Sequence, residues 1–373
     1  MSGRRKAIGR KDEESFPEKP GAHRVYLRRL RQRQWALLPL AILVVWIAGY
    51  ALTLGPERLS GAVIWKALLD HFRPDRGLDS TAQTIVWELR APRIVLGILV
   101  GGALAGSGAV YQALFRNPMA DPYIIGVSSG AALGAVLHIT LVESLAPQSP
   151  FSWLIRLPRP LYAFVLASAV VAIVYRLSLR HGRAHATTLL LTGLAMSSLL
   201  SAVLSLLLAF AAGGARLSEA IFWLMGGLQD RPWHDVIGVA PAILFGLTVS
   251  LLCARPLNLM LLGEETAQQL GVSPEVIRRG LIGAASLAAA AAVSVSGIIG
   301  FVGLIIPHIV RRIWGPDHRV LLPASILCGA GFLVLADSLA RTLLSPQEIP
   351  VGIITAMTGA PFFLAILSRR RIA

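Results

Sequence analysis

The stretch LGEETAQQLGVSPEVIRRG, residues 262–280, is polar and amphipathic, yet it lies between two long apolar runs. It contains three glutamates, two glutamines and two arginines. The flanking runs are long enough to cross a membrane, which takes about 20 apolar residues in a helix. The stretch therefore predicts a helical segment in water between two membrane spans.

The overall composition is that of a membrane protein. Of the 373 residues, 55% are hydrophobic and only 15% are charged, and the mean hydropathy is +0.65. These values predict an all-α, polytopic membrane protein. Cys253 and Cys328 are the only cysteines and lie far apart in apolar runs, which favours two small buried side chains over a disulfide or a metal pair.

The net charge of +15 is concentrated in the N-terminal tail and in short loops. The tail is long and mixed in charge, and no small-residue cleavage site follows its apolar run. We therefore predict a basic cytosolic extension over residues 1–35 rather than a cleavable signal. No basic domain with interleaved aromatic residues is present, so we expect no nucleic-acid partner.

About ten apolar segments are predicted to cross the membrane within a single domain over residues 36–373. Residues 274–314 must hold two of these spans, so one is expected to be short or broken near residues 297–303. The other spans are predicted at residues 36–54, 94–115, 124–142, 161–179, 189–212, 236–253, 320–336 and 351–367.

The distribution of arginines predicts the orientation of these spans. The basic tail and the closing Arg369, Arg370 and Arg371 place both termini in the cytosol, which requires an even number of spans. Every second loop is then cytoplasmic and carries arginines. The polar stretch at residues 262–280 falls on this cytoplasmic side.

Small residues recur at four-residue spacing in two neighbouring spans. Such rows allow helix backbones to approach closely, so they predict a tightly packed bundle. The two rows are Gly97, Gly101, Ala105 and Gly126, Gly130, Gly134.

Four motifs follow one another in a specific order. They are LRAPR (89–93), RNPMADPYIIGVSSGA (116–131), GFVGLIIPHIVRRIWGPDHRVLLP (300–323) and EIPVGIITAMTGAPFFLAIL (348–367). In the second, Pro118 and Pro122 predict a rigid cytoplasmic hairpin. Together the motifs resemble the FecCD-type permease subunits of type II ABC importers for iron-siderophore, haem and cobalamin. Met119 stands where that family commonly shows Leu.

This resemblance implies a multi-pass protein of the bacterial cytoplasmic (inner) membrane. It implies a homodimer that works with two ATPase subunits and with a periplasmic or extracellular substrate-binding protein. The chain itself has no G-x-x-x-x-G-K-[ST] loop, so ATP and Mg are expected on the separate ATPase and no cofactor on this chain. The expected function is import of an iron chelate, haem or cobalamin by a subunit that is not itself an enzyme.

The resemblance also assigns the opening stretch to ATPase coupling, with coupling helices at about residues 257–275. One short helix over residues 262–270 is predicted, with Gly271 as its stop and Ser273 and Pro274 starting the next helix. An ordinary solvated loop helix is the alternative. The coupling residues are Leu262, Gly263, Glu264, Glu265, Ala267, Leu270 and Gly271.

The resemblance implies two further sites. Thr187 and Thr188 are expected at the cytoplasmic gate, with helix N-capping as the alternative role. Arg90, Arg93 and Arg341 are expected on the external side, where they would pair with glutamates of the binding protein. Their alternative role is to snorkel to lipid headgroups from the ends of apolar runs.

Other classes of function have weaker support. A secondary carrier or channel is the main alternative, although no span carries the paired carboxylates of a proton relay. An intramembrane hydrolase is disfavoured because the H-E-x-x-H motif is missing. His308 and His138 have no visible ligand partners, so no metal site is predicted.

Overall fold

The structure is a computed structural model that describes residues 31–55, 59–70, 80–142, 152–180, 183–210 and 214–370. Most of the predicted N-terminal extension lies outside these residues. Residues 31–35 are already helical, so the predicted boundary at residue 35 falls at the start of the first helix rather than in a linker.

The described chain is a helical bundle, as predicted. In chain order the helices are α1 (Leu37–Thr53), α2 (Gly61–Asp70), α3 (Thr81–Leu114), α4 (Val127–Leu137), α5 (Arg159–Leu177), α6 (Ala186–Ala209), α7 (Gly214–Met225), α8 (Trp233–Leu252), α9 (Ala254–Leu261), α10 (Glu264–Gln269), α11 (Pro274–Ser296), α12 (Val302–Trp314), α13 (His318–Thr342) and α14 (Val351–Arg370).

Short elements complete the described chain. Two-residue strands, Leu179–Arg180 and Arg183–Ala184, pair antiparallel between α5 and α6. Single 3-10 turns cover Pro122–Ile125 and Ser152–Arg156, and π-helical turns cover Ile85–Arg90 inside α3 and His138–Val142 after α4.

Each predicted span coincides with a helix. Among the described residues, seven helices are long and apolar enough to cross a membrane, and Val127–Thr140 and Val351–Ile366 are shorter apolar helices. The expected break is present: α11 ends at Ser296, and α12 begins at Val302 and has only 13 residues. Gly297 and Phe301, with φ of +67° and +69°, turn the backbone between them. The count of ten spans stays a prediction.

Helix α3 forms the centre of the bundle and packs against α13, α11, α12 and α8. Its glycine row has the predicted effect, because a Cβ atom on Gly101 would lie 2.3 Å from the Gly329 carbonyl oxygen of α13. On α4, a Cβ atom on Gly134 would lie 2.4 Å from the Tyr162 carbonyl oxygen of α5. The prediction of tight helix packing is confirmed.

Two ends of the bundle can be distinguished. The inner end, predicted to be cytoplasmic, carries α9, α10, the hairpin between α3 and α4, and the start of α13. The outer end carries Arg93 and the end of α13. Helix α3 runs from the outer end to the inner end and α13 runs back, so these two central helices join the ends directly.

Candidate functional site

The coupling segment at the inner end consists of α9 and α10 with their connections to α8 and α11. Gly263, with a φ of +122°, lies between α9 and α10. Gly271, with a φ of +80°, stops the chain from continuing α10 as a helix, as predicted. Leu262 and Gly263 precede α10 instead of belonging to it, because the left-handed Gly263 interrupts the helix. Ser273 occupies the N-cap position of α11, but its side chain makes no capping hydrogen bond.

The coupling segment divides into an anchored side and an open side. Ala267 is fully buried, and its carbonyl oxygen accepts the backbone N–H of Val272 at 2.9 Å. The Glu264 carboxylate pairs with Arg278 of α11. Glu275 in turn receives hydrogen bonds from Arg278 and Arg279, both at 3.1 Å. This ion-pair network fixes α10 to the start of α11.

The open side of the coupling segment consists of three exposed apolar side chains and one exposed glutamate. Leu262, Leu270 and Val276 expose 67%, 57% and 66% of their surface. Glu265 is exposed as well and has no ion-pair partner among the described residues. Large exposed apolar side chains on an otherwise polar segment favour a protein-binding surface.

Behind this surface, α9 is attached to both central helices. The guanidinium of Arg116, in the hairpin that follows α3, donates to the Met260 carbonyl oxygen at 2.9 Å. Asn258 binds Asp317 and His318 at the start of α13. Partial burial opposes ionisation of Asp317, but hydrogen bonds from Arg319 and Asn258 prevail and lower its pKa to about 2. The sequence motifs gave no sign of Asn258.

At the outer end, the three predicted docking arginines belong to a buried ion cluster. Arg93 pairs with Asp337 at 2.7 Å and with Glu348 at 2.9 Å. Arg341 pairs with the same Asp337 at 3.2 Å. Arg90 donates to the Leu52 carbonyl oxygen of α1 at 2.7 Å. We call these side chains the outer ion cluster: Arg90, Arg93, Asp337, Arg341 and Glu348.

The cluster corrects part of the sequence interpretation. The arginines do not snorkel to lipid headgroups, since Arg90, Arg93 and Arg341 are all less than 10% exposed. Helix α3 begins at Thr81, so LRAPR lies inside a helix and not at the end of an apolar run. Asp337 and Glu348 were missed, although the four-residue spacing from Asp337 to Arg341 is a visible signal for an ion pair.

The remaining candidates lie elsewhere. Thr187 and Thr188 stand in the first turn of α6; His185 holds the N-cap position without a side-chain hydrogen bond, so the capping role is not observed. The ring of His138 contacts the ring of Tyr162, with centroids 4.8 Å apart and the planes tilted by 58°. Cys253 and Cys328 are free and partly buried, as predicted.

These features define a polytopic helical protein with an exposed apolar and acidic segment at one end and a buried ion cluster at the other. The chain belongs to the FecCD transport family, whose sequence pattern it matches over residues 40–369. It is a permease of an ABC importer and resides, as a multi-pass protein, in the inner membrane.

Individual relatives cover most of the chain. The cobalamin import system permease protein BtuC of Halobacterium salinarum is 48% identical over 84% of this chain and 82% of its own length. The hemin transport system permease protein HmuU of Yersinia pestis is 38% identical over 89% and 95%. A solved metal-chelate type ABC transporter in an inward-facing conformation is 33% identical, covers 90% of this chain and 99% of its own, and superposes with a TM-score of 0.76.

Proposed function

We propose that this chain moves an iron chelate, haem or cobalamin across the inner membrane when a separate ATPase subunit hydrolyses ATP. The observation that carries the proposal is the coupling segment, which exposes Leu262, Leu270, Val276 and Glu265. A permease without a partner would leave these apolar side chains exposed to water. An ATPase that closes on ATP binding would fit it and drive the bundle.

The proposal includes a homodimer around a central path. Helix α6 buries only Leu189 and Gly193 within the chain, and it exposes Leu191, Leu194, Leu199 and Leu206 along its length. A second copy would cover part of this face.

The gate role proposed for Thr187 and Thr188 fits their place at the inner end of α6. We expect replacement of both by Trp to block uptake while the complex still assembles; unimpaired uptake would contradict the gate.

The proposed docking of a binding protein uses the outer ion cluster as a whole. Three arginines against two carboxylates leave one positive charge, which attracts acidic side chains on a partner. Glu348, with 25% of its side chain exposed, is the most accessible carboxylate in the cluster. A glutamate of the binding protein would then exchange with Glu348 at Arg93, because the arginine has no open face of its own.

Transport into proteoliposomes tests the function. The permease is reconstituted with the ATPase and binding protein encoded beside it, and uptake of labelled cobalamin, haemin and a ferric siderophore is measured. We expect ATP-dependent uptake of one of these chelates that is lost when the ATPase is omitted. Uptake driven by an ion gradient with this chain alone would instead establish a secondary carrier. The relatives named for cobalamin and for hemin make those two cargoes the first to test.

A further inference from the structure

Asn258 on α9 makes a compact set of hydrogen bonds with the start of α13. Its Nδ2 donates to Asp317 Oδ1 at 2.7 Å. Its Oδ1 accepts the backbone N–H of His318 at 2.9 Å and lies 2.7 Å from His318 Nδ1. His318 is buried, so water does not compete freely for these bonds. One side chain thus ties the coupling segment to the first turn of α13.

Helix α13 carries this attachment through the bundle in company with α3. The two helices touch backbone to backbone at Gly101 and Gly329, where each glycine lies against the carbonyl oxygen of the other. At the outer end Arg93 of α3 and Asp337 of α13 form a bidentate ion pair. At the inner end Arg116, just beyond α3, contacts α9 as well. The pair is therefore fastened at its middle and at both ends.

This arrangement leaves little freedom for α3 and α13 to move separately. Close-packed backbones have no flexible side chains between them to absorb a shift, and a buried bidentate pair resists sliding. If the outer ion cluster moves, α3 and α13 must therefore move together, and their common movement reaches α9. Asn258 is the side chain through which α13 would pass it to the coupling segment.

We propose that Asn258 is a positioning residue that transmits docking of the binding protein, through the α3–α13 pair, to the ATPase contact. This inference rests on the proposed function. It assigns Asn258 no contact with cargo or ATP. Its role is to keep α9, and with it the open side of the coupling segment, in a fixed relation to the outer ion cluster.

The test is the ratio of ATPase rates with and without saturating binding protein, measured on the complete complex in lipid nanodiscs. For Asn258→Ala we expect this ratio to fall to about one, that is, a loss of the stimulation, while the binding protein still docks. The matched control is Asn117→Ala at the same end of the bundle, since Asn117 Oδ1 only accepts the nearby Met119 backbone N–H. An unchanged ratio in Asn258→Ala overturns the inference.

A second pair of variants decides the matter even if Asn258→Ala fails to assemble. Asn258→Asp removes the Nδ2 donor and sets two carboxylates side by side, so we expect a low ratio. Adding Asp317→Asn replaces the two facing carboxylates by one donor and one acceptor, so the ratio should rise above that of Asn258→Asp. Asp317→Asn alone is the reference, because it also removes the ion pair with Arg319. Equal ratios in Asn258→Asp and in the double variant would overturn the inference.

The outcome also separates this inference from the proposed function. If the unaltered complex shows no ATP-dependent uptake and no stimulation by the binding protein, the proposed function fails. If the unaltered complex is stimulated and Asn258→Ala is stimulated equally, only the role of Asn258 fails.

Discussion

At the scale of single residues, the two carboxylates of the outer ion cluster have different expected roles. We expect Asp337 to stabilise the fold and Glu348 to exchange with a glutamate of the binding protein. Asp337 is 2% exposed and pairs with both Arg93 and Arg341, whereas Glu348 is partly open to solvent. Removing one partner of a buried pair leaves an uncompensated charge and costs about 3 kcal/mol. We therefore expect Asp337→Asn to lower the thermal unfolding temperature of the purified permease clearly, and Glu348→Gln to lower it little.

Glu348→Gln should instead alter docking. It releases Nη1 of Arg93 from its carboxylate and raises the positive charge of the cluster, so association with the binding protein should accelerate on the order of threefold at low salt. Surface plasmon resonance on the nanodisc-held permease measures this rate. Glu219→Gln, which removes the same charge from a pair with Arg159, is the control and should have no such effect. A rate that is unchanged in Glu348→Gln would refute exchange at Arg93.

Glu264 and Glu265 are adjacent residues with different expected roles. Glu264 belongs to the internal pair with Arg278, so its replacement disturbs the fold of the segment as well as any contact. Glu265 is exposed, and reversing its charge should weaken ATPase binding by about 2 kcal/mol. We expect Glu265→Arg to lose most of the ATPase in co-purification. Glu88→Arg, an exposed reversal near the outer end, should retain it, and full retention by both variants would contradict coupling at α10.

At the scale of helices, the contact between α3 and α13 depends on the absence of side chains. A Cβ atom on Gly329 would lie 2.4 Å from both the Gly101 carbonyl oxygen and the Ala105 Cβ. Gly329→Leu must push the helices apart, with an expected loss of about 3 kcal/mol or more. Gly331→Ala on the same helix is the control, because its nearest neighbour would be 3.4 Å away. Thermal unfolding in detergent measures both, and equal unfolding temperatures would show that the contact is unimportant.

Helices also show where sequence patterns are sufficient. The glycine rows predicted close packing because four-residue spacing places small residues on one face of a helix. The partners of these faces lie far along the chain, as Gly329 does from Gly101, and spacing within one helix carries no information on them. The same limit applies to α10. Its existence was predicted, but its start was placed at Leu262 and the helix begins at Glu264. The difference arises because the φ of Gly263 depends on how α9 packs.

At the scale of the whole molecule, the sequence determined the positions of the long apolar helices, the break after Ser296 and the polar segment at residues 262–280. Each of these follows from local hydropathy and from glycine and proline, which act on the nearest few residues. The shorter helices α2 and α7 were not predicted. Only the tertiary structure decided that Arg93 joins the pair of Asp337 and Arg341, and that Asn258 reaches the start of α13. Such contacts join residues far apart in sequence, and they form because an ionic or polar group enclosed by packed helices must find its partner within the protein.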